Sequence, residues 1–325
     1  MRAHITATGM AVPERVVTNN DLETMVDTSD QWIRDRTGMV ERRVSDDKTA
    51  ASDLAVAASN QAIQNAGLTP KDIDAILVAT ISGDYPWPAT ACIVQNKLGA
   101  NPVMSYDLSA ACTGFLYGLS QASAFVETGK FKNILLVGVD LLTKTVDWTD
   151  RNTCVLFGDG AGAAIIQPNH EGEGVIDTIL GADGGAAEML YQAVGGSRHP
   201  MTEEAIRDGK HYLYMNGREI FKQAVRVMAQ TIQTLLEKHG KTGGDIALVI
   251  PHQANIRILE AVSDRIGVGM DRFFLNIAKY GNTSAATIPM ATHEARQEGR
   301  LRKGDLVVMV SFGGGLTWGA SLVQF

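Results

Sequence analysis

Cysteine is scarce in this chain. Its 325 residues hold three, Cys92, Cys112 and Cys154, with no CxxC pair. An odd number without that spacing makes neither a disulfide framework nor a zinc site, and a reducing, cytoplasmic compartment fits such usage. Long apolar runs are missing too. The stretches are strand-sized, with residues 134–139 stopping at Asp140, so no membrane span is expected. The opening MRAHIT has no apolar signal region. Positive charge is in deficit, with a net charge of -7, which argues against general nucleic-acid binding and leaves room only for a local basic patch. The glycine run at 158–163, GDGAGA, fits a dinucleotide-binding spacing. That reading fails because 164–166 continue as strand where a helix is required, and no Gly-Lys-Ser/Thr follows to make a phosphate loop.

What remains is an ordinary globular composition, 45% apolar and 20% charged. The length suggests about two domains. The stretch DLSAACTGF (107–115) organises the chain. A strand-like run at 103–106 enters it, and a helical pattern of Phe115, Leu116, Leu119, Ala122, Ser123 and Val126 leaves it. Cys112 therefore sits where a strand hands over to a helix. Unpaired N–H groups and the helix dipole there favour an anion, so the thiol pKa is expected to fall below ~8.5. Read alone, the position suits a buried core thiol equally well. The rest of the chain has to decide.

Buried strands are expected at 73–79 and 133–139, and a first strand at 3–9. An alanine-rich helix spans 52–66. A short helix around 29–38 is closed by Gly38. Arg34, Arg36, Arg42 and Arg43 surround Trp32. From the residues alone, a solvated charged turn with a packed tryptophan is the preferred reading there. Pro86 and Pro88 stiffen a loop that carries Trp87.

The two halves repeat. Ile76 and Leu248, Ile134 and Leu306, and Gly9 and Gly181 are separated by one and the same offset, slightly more than half the chain. That offset shared across three strands, with the 52–66 helix answered by one at 219–239, predicts two α/β layers packed as one unit. The counterpart of Cys112 then falls near Asn282, and His252 ends the strand at 247–250. Strand ends at a seam between α/β halves are where sites form. A thiol beside an imidazole gives a nucleophile with an acid/base partner, and an asparagine offers an N–H to a developing oxyanion.

At this point the blocks DLSAACTGFLYGL (107–119), DRNTCVLFGDGAGAA (150–164), LVIPHQANIRIL (248–259), YGNTSAATIP (280–289) and SFGGGLTWG (311–319) together resemble β-ketoacyl-acyl carrier protein synthase III. This is a thiolase-fold condensing-enzyme family, and the likeness runs over essentially the whole chain. The Cys-His-Asn set is unlike the Cys-His-His of elongating synthases and the Cys-His-Cys of thiolases. Plant-type polyketide synthases share it, but are longer and lack the segment at 27–38.

The resemblance implies an α/β, thiolase-like fold, two pseudo-symmetric βα halves in an αβαβα layering, divided as 1–172 and 173–325. It implies an acyltransferase that condenses a short acyl-CoA primer, acetyl-CoA first among them, with malonyl-acyl carrier protein, initiating type II fatty acid synthesis through an acyl-Cys112 intermediate. His252 and Asn282 would stabilise the enolate. The backbone N–H groups of Cys112 and Gly314 would form the oxyanion hole. Thr28, Trp32, Arg36 and Arg151 match contacts to CoA, which overturns the solvated-turn reading of Trp32. Gly217 and Asn255 match the pantetheine tunnel. Lys222 and Arg257 match the patch that receives acyl carrier protein, where Asp264 beside Arg265 is a departure. Trp87 would line the acyl pocket of a homodimer partner and keep it short. No permanently bound cofactor and no metal are implied; acyl-CoA is a substrate. A cytoplasmic protein free of nucleic acid and membrane is expected. A same-mechanism synthase with a longer or branched primer, or one serving secondary metabolism, is the alternative. A silent carrier-binding member is disfavoured because Cys112 is present. Residues 186–212 read as a surface excursion that lines part of the substrate pocket, its conformation undetermined.

Overall fold

A computed structural model describes residues 1–325. One sheet holds β1 (Arg2–Ala11), β2 (Ala75–Ala79), β3 (Met104–Leu108), β4 (Ile134–Leu141) and β5 (Asp159–Asn169), in the order β1-β5-β4-β2-β3. The other holds β6 (Gly174–Ala182), β7 (Leu248–Pro251), β8 (Leu306–Gly313) and β9 (Thr317–Gln324), in the order β6-β9-β8-β7. The pairing directions repeat as well. β5 runs antiparallel to β1 and β4, as β9 does to β6 and β8; β2 is parallel to β4, as β7 is to β8. The place of β3 is taken in the second sheet by a single bridge, Val249 to Phe273.

Seven helices complete the layers: α1 (Asp30–Thr37), α2 (Ala51–Asn65), α3 (Thr90–Leu98), α4 (Gly114–Glu127), α5 (Gly217–Lys238), α6 (Ile256–Ile266) and α7 (Thr287–Gln297). Helices α2 and α3 cover the outside of the first sheet, and α5 and α6 cover the outside of the second. Helices α4 and α7 fill the middle, giving αβαβα. Phe115, Leu116 and Leu119 of α4 meet Leu77, Leu136, Ile250 and Met309 from both sheets. Each such side chain contributes ~1.5–3 kcal/mol on burial, so the central seam is firmly held.

Local sequence explains the elements. In α2, Ala51, Ala55, Ala58 and Ala62 make a small-residue face, and β1 approaches so closely that a Cβ on Gly9 would lie 2.3 Å from the Ala58 carbonyl. Helix α1 starts on Ser29, whose hydroxyl accepts the Trp32 N–H, and stops at Gly38 in a left-handed conformation, φ +78°. The 158–163 glycines serve packing. A Cβ on Gly162 would sit 2.6 Å from the Met290 nitrogen of α7, and β5 continues through the run as strand.

The repeat needs one correction. Helices α4 and α7 each follow a 3₁₀ turn, Ala111–Thr113 and Ser284–Ala286. These turns are one position further apart than the strands are, so the register slips by one there. The residue equivalent to Cys112 is Ala285 rather than Asn282, which pairs instead with Ser109.

The excursion at 186–212 begins in a 3₁₀ segment, Gly184–Met189. A two-stranded ribbon, Leu190–Gln192 with Leu213–Met215, follows around a short helix, Glu203–Arg207. No helix is long and apolar enough to cross a membrane.

Candidate active site

Cys112, His252 and Asn282 line one cavity of about 420 Å³, with 6%, 4% and 6% of their surfaces exposed. Each comes from a different element. Cys112 lies on the 3₁₀ turn between β3 and α4. Three hydrogen bonds tie this turn to the second half across the seam. Ser311 Oγ donates to the Cys112 carbonyl (2.8 Å), Thr317 Oγ1 to the Ala110 carbonyl (3.0 Å), with the Gly314 carbonyl equally near as a competing acceptor, and Thr113 Oγ1 to the Thr317 carbonyl (3.2 Å). Gly313 must lack a side chain here, since a Cβ would stand 2.8 Å from the Cys112 nitrogen. The glycine run therefore admits Cys112 itself, besides leaving Gly313, Gly314 and Gly315 on the cavity wall.

His252 follows β7, its N–H donating to the Val310 carbonyl at 2.7 Å. Nδ1 is buried without a partner. Asn282 is held between Leu156 and Gly158 by main-chain bonds of 2.8 and 3.0 Å. Its Oδ1 accepts the Ser284 N–H at 2.9 Å. That bond fixes which way the amide faces and leaves the Nδ2 protons as its donors.

The electrostatics overturn one expectation. A strand-to-helix position predicts an acidified thiol; instead burial pushes Cys112 up to about 12. The Ser284 side chain acts against this and the Asp140 carboxylate adds to it. A helix N-terminus offers ~0.3–2 kcal/mol to an anion, less than the cost of charging a fully buried thiol. Burial also lowers His252 to about 4, opposed by the main chain of Ser284, so the imidazole is neutral near pH 7.

A second cleft, about 820 Å³, brings Trp32, Arg36, Gly217, Asn255 and Arg257 together. It shares Tyr191, Leu213 and Met215 with the inner cavity, so the two spaces adjoin at these residues. The Arg36 and Arg151 guanidiniums lie 4.9 and 5.3 Å from the Trp32 ring centre, a cation–π arrangement. Arg151 also donates to the Asp27 carbonyl at 2.7 Å. The Thr28 hydroxyl is buried and unpaired beside this segment and does not line the cleft. Lys222 stays outside it on α5, paired with Glu219 at 2.7 Å. Trp87 lines neither space in its own chain and is 84% exposed.

Sequence reasoning missed Arg218 and Lys210 in the outer cleft and Tyr191, Leu213 and Met215 at the junction. Arg218 beside Gly217 was a legible basic signal. The other four lie on or beside the excursion, whose ribbon is set by tertiary pairing.

The same architecture recurs in known proteins. Residues 106–184 match the family model described as 3-oxoacyl-[acyl-carrier-protein (ACP)] synthase III, and residues 236–325 match its C-terminal model. The β-ketoacyl-[acyl-carrier-protein] synthase III of Symbiobacterium thermophilum is 53% identical over 321 residues, 99% of this chain and 97% of that protein. That of Natranaerobius thermophilus is 51% identical, with 99% of each covered. The crystal structure of 3-oxoacyl-[acyl-carrier-protein] synthase III from Aquifex aeolicus superposes with a TM-score of 0.93 at 44% identity, covering 99% of this chain and 100% of that one.

Proposed function

The chain belongs to the β-ketoacyl-[acyl-carrier-protein] synthase III family, thiolase-fold condensing acyltransferases that initiate fatty acid synthesis, and from that premise we propose how its own residues carry the reaction. The alternative of a secondary-metabolic or long-primer synthase is not favoured, since relatives near half identity carry the synthase III name.

Acyl-CoA enters by the outer cleft, with Trp32 and Arg36 taking its nucleotide end, Arg151 supporting the Trp32 ring from beside the cleft, and Gly217 and Asn255 flanking its pantetheine arm; the Thr28 hydroxyl, buried behind this segment, would reach the nucleotide only if the segment shifts. The Cys112 sulfur attacks the thioester carbonyl. Because the thiol holds its proton, attack requires proton removal. Neutral His252 receives that proton and returns it to the departing CoA sulfur. The backbone N–H groups of Cys112 and Gly314 hold the oxyanion. Malonyl-acyl carrier protein then docks over Arg257 and Lys222 and loses CO2. His252 and the Asn282 amide stabilise the enolate, in the step where negative charge grows. The carbanion attacks acyl-Cys112, the C–S bond breaks, the β-ketoacyl product leaves on the carrier, and the departing Cys112 thiolate takes one proton from solvent to restore the thiol.

The observation that supports this most is the single cavity lined by Cys112, His252 and Asn282, adjoining a cleft lined by Trp32 and Arg36, with Arg151 over the same ring. The halves 1–172 and 173–325 each supply part of it. A cytoplasmic homodimer completes the proposal. The exposed Ile81, Tyr85 and Trp87 suit a loop offered to a second copy, whose acyl pocket Trp87 would shorten. No resident cofactor or metal enters any step. The test is an assay of β-ketoacyl-carrier product from acetyl-CoA and malonyl-carrier protein. Product with wild type and none with Cys112→Ser supports the proposal; product from both refutes it.

A further inference from the structure

Asp140, at the C-terminal end of β4, is fully buried. Its Oδ1 accepts the Ile81 N–H (2.9 Å), the Ser82 N–H (3.2 Å), the Ser82 hydroxyl (2.7 Å) and the Thr80 hydroxyl (3.1 Å). Its Oδ2 accepts the Ala285 N–H at 3.3 Å. Three of these neighbours are main-chain N–H groups that can only donate, and both carboxyl oxygens accept at least one, so the ionised carboxylate fits the site. Burying a carboxylate among uncharged groups is costly. The strand end itself does not require it, because the equivalent position on β8 in the second half is the buried apolar Phe312.

What the carboxylate touches explains its presence. One oxygen fixes residues 80–82, the root of the Trp87 loop. The other fixes the turn that follows Asn282. That turn is strained, with Ser284 at φ +51°, and its Ser284 N–H is the group that orients the Asn282 amide. The Ser284 hydroxyl is buried in that turn without a partner.

We propose that Asp140 is a positioning residue that locks the Asn282 turn. This rests on the reading of Cys112 and Asn282 as reacting groups. Burial raises the Asp140 carboxyl, and the donors around it act in the opposite sense.

The test is Asp140→Asn, which keeps the shape and sets an NH2 against the Ala285 N–H. Malonyl decarboxylation, which uses the Asn282 amide, should slow on the order of tenfold because that amide is released. Acylation of Cys112 by acetyl-CoA, which does not use it, should stay near the wild-type rate. A purely structural role would slow both steps alike, and that result overturns the proposal. Where the variant does not fold, the carboxyl-carbon resonance of Asp140 in the wild-type protein decides. A carboxylate shift across neutral pH supports the proposal, and a protonated carboxyl overturns it. A wild-type acyl group on a residue other than Cys112 would instead refute the underlying site. Acyl-Cys112 formed in both proteins with unchanged decarboxylation refutes only the role of Asp140.

Discussion

Ala111 and Ser284 take the same uncommon backbone conformation, φ +46° and +51°, at equivalent turns of the two halves. One precedes Cys112 and the other orients Asn282. The left-handed region costs a non-glycine residue ~1–2 kcal/mol, and here the cost falls on the two turns that face each other across the seam. Ala111→Gly should therefore stay within about 1 kcal/mol of wild type, strain relief offsetting chain entropy. Ala111→Val should lose about 2 kcal/mol or more, since a branched side chain fits this conformation poorly. Urea unfolding of the three proteins checks the order.

The two half-reactions should separate by residue. Asn282→Ala should still form acyl-enzyme but lose condensation by about 10²–10³, the worth of one oxyanion donor. His252→Ala should impair both steps, because the imidazole takes a proton in one and donates a hydrogen bond in the other. Single-turnover acylation measured beside steady-state condensation gives the split.

Much of this arrangement was legible beforehand, for identifiable reasons. The common offset between the halves survives because strands buried on both faces tolerate little length change; it set His252 at a strand end on the seam but reached Asn282 only approximately, since the true counterpart of Cys112 is Ala285. Helix α1 was legible because Ser29 and Gly38 are local start and stop signals. Two things were not. The ribbon of Leu190–Gln192 with Leu213–Met215 depends on pairing across an irregular stretch, which periodicity does not encode. The thiol state depends on how deeply the helix start is buried. No local pattern near Cys112 carries that.

Histidine burial makes stability pH-dependent. His252 is held at about 4, below its ordinary 6.5, so the folded state resists a proton that the unfolded chain accepts. Stability should be full above about pH 6.5 and fall as the pH drops toward 4. His252→Asn removes this one contribution, approaching about 3 kcal/mol at the acid end from ~1.4 kcal/mol per pH unit. His4 and His293 are also lowered by burial and act in both proteins, so the difference between the two unfolding curves isolates His252.

Binding at the outer cleft should depend on the nucleotide. Arg36→Ala and Arg151→Ala should raise KM for acyl-CoA with little change in kcat, and should affect acyl-pantetheine far less. An equal penalty on both donors would remove these arginines from CoA recognition.

Trp87→Ala should extend the range of usable primers. Wild type is expected to acylate fastest with two- or three-carbon acyl groups, and the variant should gain rate with longer ones. Acylation rates across chain length test this, and equal use of C2 and C8 primers by wild type contradicts it.

The most direct test is mass spectrometry of the protein mixed with acetyl-CoA and then with malonyl-carrier protein. The peptide carrying Cys112 should gain one acetyl group and lose it as β-ketoacyl-carrier protein appears. An acetyl group on another residue, or product formed while acetyl-Cys112 stays undischarged, would contradict the mechanism.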